Sequence, residues 1–147
     1  LSIIDVRVFN YFSHTQDVNA RFLITDILRA IKNKEVFKTS VDNITRDFIT
    51  PPDFYRLIQA IIDFKPINTA LDCYTKSPVS KFDLLSELER EFGLQYNVDK
   101  SAKIVNATGA KINYYSTNSV AKNIGYNPKN TSMTGIFQEI DLILKKK

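Results

Sequence analysis

Apolar side chains recur along this chain in two rhythms, one suited to strands and one to helices. Residues 3–12 are rich in Ile, Val, Phe and Tyr and predict a strand. The polar run Ser13-His14-Thr15-Gln16-Asp17 predicts a turn. From Asn19 onward, Phe22, Leu23, Ile27, Leu28 and Ile31 fall at helical spacing, and Asn33 is read as the end of that helix. Residues 35–41 predict a short strand, followed by a turn at Asp42-Asn43. Residues 45–50 read as extended. Pro51-Pro52 then opens a helix, because the first helical turn has no use for the N–H that proline lacks. Its apolar positions are Phe54, Leu57, Ile58, Ile61 and Ile62, and Pro66 closes it. Residues 69–74 predict a strand. Ser80 with Asp83 three residues later reads as a helix cap. Phe82, Leu84, Leu85, Leu88 and Phe92 mark the helix behind it, and Gly93 ends it. Residues 94–98 and 112–115 read as strands on either side of a polar stretch. Ser116-Thr117-Asn118 caps a short helix ending near Gly125, and residues 136–144 form a closing amphipathic helix. The result is an α/β chain with several short strands.

A length of 147 residues suits one compact domain, and 44% hydrophobic residues argue for a folded chain. The net charge of +4 arises from 20 basic and 16 acidic residues that are interleaved, as in Glu87-Leu88-Glu89-Arg90-Glu91. A nucleic-acid-binding domain concentrates Lys and Arg on one face, so no nucleic acid is expected as a partner. The small basic excess does suit a phosphate-bearing small molecule. Cys73 is the only cysteine, so no internal disulfide can form, and a reducing, cytoplasmic location is expected. Its apolar setting, Ala70-Leu71-Asp72-Cys73-Tyr74, reads as a small core residue rather than a nucleophile. No apolar stretch approaches the ~20 residues of a membrane span, so no membrane partner is expected. The chain starts without Met, inside a strand-like run, and we expect a piece of a longer protein.

Chemistry-bearing motifs are few. None of the four glycines, Gly93, Gly109, Gly125 and Gly135, belongs to a Gly-x-Gly-x-x-Gly turn. A backbone that must approach a pyrophosphate needs such glycines. His14 and Cys73 alone cannot supply the roughly four N or S ligands of structural zinc. His14, in a polar turn, reads as a surface histidine; the alternative is a general base.

Four segments, in order, carry a resemblance. They are Arg7-Val8-Phe9-Asn10-Tyr11-Phe12, Thr45-Arg46-Asp47-Phe48-Ile49-Thr50-Pro51-Pro52-Asp53, the stretch 68–85 containing Lys76-Ser77-Pro78-Val79-Ser80, and Ser116-Thr117-Asn118-Ser119-Val120-Ala121-Lys122-Asn123-Ile124-Gly125-Tyr126-Asn127-Pro128. Together they resemble the carboxyl-terminal part of the extended short-chain dehydrogenase/reductase family, specifically its NAD-dependent nucleotide-sugar epimerases and dehydratases. Three departures stand out. The family's glycine-containing turn is replaced by Thr39-Ser40-Val41-Asp42-Asn43, and an arginine that often helps hold the diphosphate is absent from Ala107-Thr108-Gly109-Ala110-Lys111. Tyr11-Phe12-Ser13 stands where the family has Tyr-Gly-Pro.

The resemblance implies an architecture: the terminal strands and a helix of a Rossmann-type domain plus the small substrate-binding α/β lobe. It assigns residues 1–12 and 67–92 to the Rossmann-type part, and 13–66 and 93–147 to the substrate-binding part. It implies that the intact parent uses NAD or NADP to oxidise a sugar carbon, in cell-surface polysaccharide or sugar-nucleotide biosynthesis. The catalytic Tyr-x-x-x-Lys helix is expected outside this chain, and no cofactor is expected bound to the chain alone. The partners implied are a UDP-, dTDP-, GDP- or CDP-linked sugar and the protein's own amino-terminal Rossmann domain; a homodimer is allowed. Asn10 is implied as a ligand contact near the phosphates, although it could simply end a strand. Asn19 and Ala20 are implied at a helix start that faces the substrate, or they could only cap it. Arg46 is implied as the diphosphate grip, its fork matching phosphate oxygens; the alternative is an ion pair with Asp47 or Asp53. Lys111 could add one charge. Val8 and Phe9 are implied as packing near the nicotinamide. Two other functions stay open: a non-catalytic nucleotide-sugar-binding module, or a basic α/β domain for nucleic acid.

Overall fold

The computed structural model describes residues 1–101 and 111–145. The expected arginine-lacking stretch at 107–110 lies outside the described residues, and only Lys111 of that segment can be placed.

The strand-like start divides into β1 (Ile4–Val8) and β2 (Asn10–Tyr11). β1 runs parallel to β6 (Thr69–Cys73), with Arg7 opposite Asp72 and Val8 opposite Cys73. β2 runs parallel to β5 (Phe48–Ile49), with Asn10 opposite Phe48. β3 (Val36–Ser40) pairs in parallel with β8 (Gln95–Asp99). β4 (Thr45–Arg46) lies between β7 (Val79–Ser80), antiparallel, and β9 (Asn113–Tyr114), parallel. Parallel pairing needs long crossovers, and helices provide them.

The helices are α1 (Leu23–Asn33), α2 (Pro51–Asp63), α3 (Lys81–Phe92) and α4 (Ser132–Lys145), with a 3-10 turn at Val120–Ile124. The proline start of α2 and the Ser80 cap of α3 hold as expected; Ser80 Oγ accepts from the Asp83 N–H at 3.2 Å. Gly93 and Gly125 take left-handed φ values of 69° and 94°, which end α3 and the 3-10 turn. Two boundaries differ. α1 begins at Leu23, several residues after Asn19, because the Thr25 hydroxyl accepts the Phe22 N–H at 3.1 Å and donates to the Ala20 carbonyl at 2.5 Å. That closes residues 20–22 into a turn. α4 begins at Ser132, ahead of the apolar run that marks it in the sequence. Thr131 and Thr134 cap each other, Thr134 N–H to Thr131 Oγ1 at 3.1 Å and Thr131 N–H to Thr134 Oγ1 at 2.9 Å. The first turn of α4 also carries Gly135, pressed against buried Thr50. A Cβ at Gly135 would lie 2.9 Å from Thr50 Oγ1 and 3.0 Å from Thr50 Cγ2. Gly135→Ala is therefore expected to destabilise the chain by about 1–3 kcal/mol, measured as a lower denaturation midpoint, despite alanine's better helix propensity.

Among the described residues, two apolar cores result. The larger joins Phe12, Ile24, Ile27 and Leu28 to Leu84, Leu85 and Leu88 of α3 and to Ile136 and Ile140 of α4. The smaller joins Ile49, Leu57, Leu71, Cys73, Ala121, Ile124 and Tyr126. β5 straddles them: Phe48 enters the first core and Ile49 the second. Cys73 is buried as expected, and desolvation pushes its thiol up to about 12, which leaves it a poor nucleophile.

The structure bears on three sequence readings. His14 is not a free surface histidine: its Nδ1 lies 2.7 Å from the buried carboxylate of Glu139, and its backbone N–H donates to the same oxygen. A Tyr-x-x-x-Lys spacing does occur once, at Tyr96 and Lys100. Tyr96 sits in β8, though, and residues four apart in extended chain are ~13 Å apart. A helix would bring them one turn apart, so this is not the catalytic pairing. Arg46 makes no ion pair with Asp47 or Asp53, for reasons given below. Among the described residues, no helix is long and apolar enough to cross a membrane.

Candidate functional site

A cavity of about 320 Å³ opens where β2, β4 and β5 meet the turn before α1. Phe9, Tyr11, Phe12, Phe22 and Phe48 supply aromatic walls, and Asn10, Gln16, Thr25 and Arg46 supply polar groups. The pairing of β2 with β5 brings Asn10 to this cavity. Its Nδ2 donates to the Asp47 carbonyl at 3.2 Å, which fixes the amide against the β4–β5 link.

Arg46 is held by carbonyls. Nη1 donates to Thr45 O at 2.8 Å and Ile112 O at 3.0 Å, and Nη2 donates to Lys111 O at 2.7 Å. These bonds occupy three of the five guanidinium N–H groups. Both carboxylates that could have neutralised it are committed elsewhere. Asp47 accepts from Thr75 N–H at 3.0 Å, Thr75 Oγ1 at 2.5 Å and Ser132 Oγ at 2.7 Å. Asp53 accepts from the backbone N–H groups of Lys129 and Asn130, each at 2.8 Å, and from Arg56 at 3.0 Å. Among the described residues, no carboxylate pairs with Arg46. Partial burial lowers its pKa from the ordinary value, with Tyr114 opposing the shift. An arginine stays protonated at neutral pH regardless. The site thus contains a fixed, half-buried positive charge with two N–H groups to spare.

The ring of Tyr114 extends this corner. It meets Phe9 edge-on at 5.2 Å, with the Lys111 ammonium 4.7 Å from its centroid and the Arg46 guanidinium at 5.9 Å. Two cations against one ring give a local positive potential. Of the residues singled out from the sequence, Phe9, Asn10 and Arg46 therefore line one cavity, and Lys111 stands beside it. Asn19 and Ala20 do not line it; they sit in the turn ahead of α1, with Asn19 exposed. Val8 is 40% exposed on β1, outside the cavity. His14 also lies outside it, tied to α4. Gln16, Phe22, Thr25 and Phe48 line the cavity without having been singled out as site residues.

No protein-family model matches the chain, and no curated protein sequence does either. Solved structures do. UDP-glucuronic acid 4-epimerase from Bacillus cereus, in complex with UDP-glucuronic acid and NAD, superposes with a TM-score of 0.80 at 21% identity, covering 100% of this chain. The chain has the fold of part of a UDP-sugar 4-epimerase. UDP-glucose 4-epimerase from Thermotoga maritima, with UDP-glucose, gives a TM-score of 0.78 at 16% identity over 99% of the chain. UDP-N-acetylglucosamine 4-epimerase from Bacillus cereus gives 0.72 at 12% over 97%. The chain spans about half the length of these structures, between 46% and 47%. The α/β architecture expected from the four sequence segments is therefore the one observed, and at these identities the likeness fixes the fold alone.

Proposed function

We propose that this chain is the nucleotide-sugar-binding portion of an NAD- or NADP-dependent sugar epimerase or dehydratase. The observation that carries the proposal is Arg46: a half-buried guanidinium with no carboxylate partner, aimed by carbonyls beside a cavity that also holds the Asn10 amide. A partly desolvated cation without a counter-ion is costly, and an anionic ligand would relieve that cost. A diphosphate fits the fork, and the aromatic walls fit the flat or apolar faces of a nucleoside or sugar. The B. cereus and T. maritima structures, with UDP-glucuronic acid and UDP-glucose, support this ligand class. In this reading Arg46 and Lys111 face the diphosphate and Asn10 fixes the ligand's position. Asn19 and Ala20 would approach it from the turn before α1.

Among the described residues, no glycine forms part of a dinucleotide cradle. Gly93 and Gly125 cap helices and Gly135 packs on Thr50, while Gly109 lies outside the described residues. No hydride step is therefore assigned to this chain. Its part is binding and orientation, which lower a barrier by holding the reacting carbon in place. The parallel β1–β6 pair, with Ile3 exposed just ahead of β1 and Val8 exposed at its end, supports assigning residues 1–12 and 67–92 to a Rossmann-type sheet completed by the protein's own amino-terminal domain.

The test has two arms. Calorimetry on the full-length protein should show binding of a UDP-, dTDP-, GDP- or CDP-linked sugar and of NAD or NADP, with conversion of the sugar seen by chromatography. Residues 1–147 alone should show neither micromolar NAD binding nor turnover. Absence of nucleotide-sugar binding by the full-length protein would refute the proposal. Tight binding without turnover would leave a non-catalytic binding module.

A further inference from the structure

Apart from the exposed Tyr11, four polar side chains line the cavity, and three of them have protein partners. Thr25 bonds to the turn before α1, Asn10 to the Asp47 carbonyl, and Arg46 to three carbonyls. Gln16 is the exception. Its Oε1 is shut away from solvent and, among the described residues, accepts no hydrogen bond. A buried carbonyl oxygen without a donor is destabilising, so native structures rarely keep one without a use for it.

The backbone around Gln16 is well held. Its N–H donates to Ser13 O at 3.0 Å, and Ser13 and Thr15 share a side-chain hydrogen bond at 2.9 Å. His14 fastens the same turn to α4 through Glu139 at 2.7 Å. On the other side of Gln16, Arg29 Nη1 donates to Val18 O at 2.7 Å, so the turn is held at both ends, while Gln16 lines the cavity with its side-chain oxygen unpaired. A fixed backbone carrying an unpartnered acceptor is the arrangement that binding sites use for specificity, because a ligand lacking the matching donor leaves the acceptor orphaned.

We propose that Gln16 is a specificity-determining contact of the site described above: its side chain turns toward the cavity, and its amide oxygen, unpaired among the described residues, accepts a hydrogen bond from a hydroxyl or N–H of the ligand. This rests on the nucleotide-sugar reading. The chemistry limits which part of the ligand Gln16 can meet. Diphosphate oxygens carry no hydrogen to donate at neutral pH and repel a carbonyl oxygen. The phosphates therefore belong at Arg46, and Gln16 meets a neutral donor. Two parts of a nucleotide sugar offer one: the hexose hydroxyls, and the ribose hydroxyls or base N–H of the nucleoside.

The experiment compares full-length wild type with Gln16→Leu, which keeps the bulk and removes the acceptor. Calorimetry would use UDP-, dTDP-, GDP- and CDP-glucose, each with its free nucleoside diphosphate, and NAD as a control. Gln16→Leu is expected to lose roughly five- to thirtyfold in affinity for the bound nucleotide sugar. Its Tm should be unchanged or raised, since an orphaned acceptor has been removed, and NAD affinity should be unchanged. A loss confined to the glucose-bearing ligand places the donor on the hexose. A loss shared with the free diphosphate places it on the nucleoside. Equal affinities of variant and wild type for every ligand would overturn the inference and leave the functional proposal standing. So would a fall in Tm with a parallel loss of NAD affinity, which marks general disruption. Failure of the wild type to bind any nucleotide sugar would overturn the functional proposal itself.

Discussion

Asp47→Ala is expected to be the most damaging single substitution to stability, at about 3–5 kcal/mol. The carboxylate is 5% exposed. Three donors converge on it: the Thr75 N–H, the Thr75 hydroxyl and the Ser132 hydroxyl. A hydrogen bond to a charged group contributes ~1.5–3 kcal/mol, and buried donors left unpaired add their own penalty. Position magnifies the loss. Asp47 links β4 to β5, Thr75 follows β6, and Ser132 opens α4, where its hydroxyl also accepts the Phe48 N–H at 2.8 Å. Phe48 and Ile49 enter different cores, so this one carboxylate fixes the strand from which both are packed. The melting temperature should fall by roughly 6–20 °C for a chain of this size. Asp47→Asn keeps one acceptor but turns an amide NH2 toward a donor, and should lose about half as much. Because Ser132→Ala removes a bond already lost in Asp47→Ala, the double variant should be less destabilised than the sum of the two. Additive losses would show that the three groups do not act as one network.

That role was only half legible in the sequence. The Arg46-Asp47-Phe48 segment could be matched to a family pattern, with Asp47 as a candidate ion-pair partner of Arg46. Its partners Thr75 and Ser132, 28 and 85 residues away, belong to no local pattern. Periodicity found α2 and α3 well, because their inner faces are long apolar stripes and their ends carry Pro51-Pro52, Ser80 and Gly93. It placed α4 too late. Ser132, Thr134 and Gly135 look like helix breakers, and only the Thr131–Thr134 cap and the contact with Thr50 explain why they are helical. The start of α1 was placed too early, because Asn19 looks like a cap while the Thr25 hydroxyl does the closing. At the site, Asn10 and Arg46 could be singled out because a family pattern names them. Gln16 could not be: one glutamine in a polar turn has no signature until its oxygen is seen to be buried and unpaired.

Arg46→Ala in the full-length protein should weaken nucleotide-sugar binding tenfold to a few hundredfold, at ~1.4 kcal/mol per tenfold, and leave NAD affinity nearly unchanged. The sequence left two roles open for this arginine, a phosphate grip or an ion pair with Asp47 or Asp53. The ion pair is not formed, since both carboxylates are filled by other donors. A third role now competes with the grip. Arg46 binds the carbonyls of Lys111 and Ile112 at 2.7 and 3.0 Å and so fastens the chain entering β9 to β4. The alanine variant should therefore also lose about 1–2 kcal/mol of stability, the size of one or two ordinary hydrogen bonds at a partly exposed edge. Arg46→Lys separates the two roles. Lysine retains the charge but cannot reach several carbonyls with a planar fork. If the charge faces a diphosphate, the lysine variant should recover part of the lost affinity while staying as destabilised as the alanine variant. Raising the salt concentration should weaken wild-type binding more than that of Arg46→Ala, because the screened interaction is missing from the variant. If Arg46 serves only to hold β9, affinity will track stability in both variants, and binding measured well below the melting temperature will be nearly normal. Normal affinity in Arg46→Ala would remove this residue from the site, and with it the observation on which the proposed function stands.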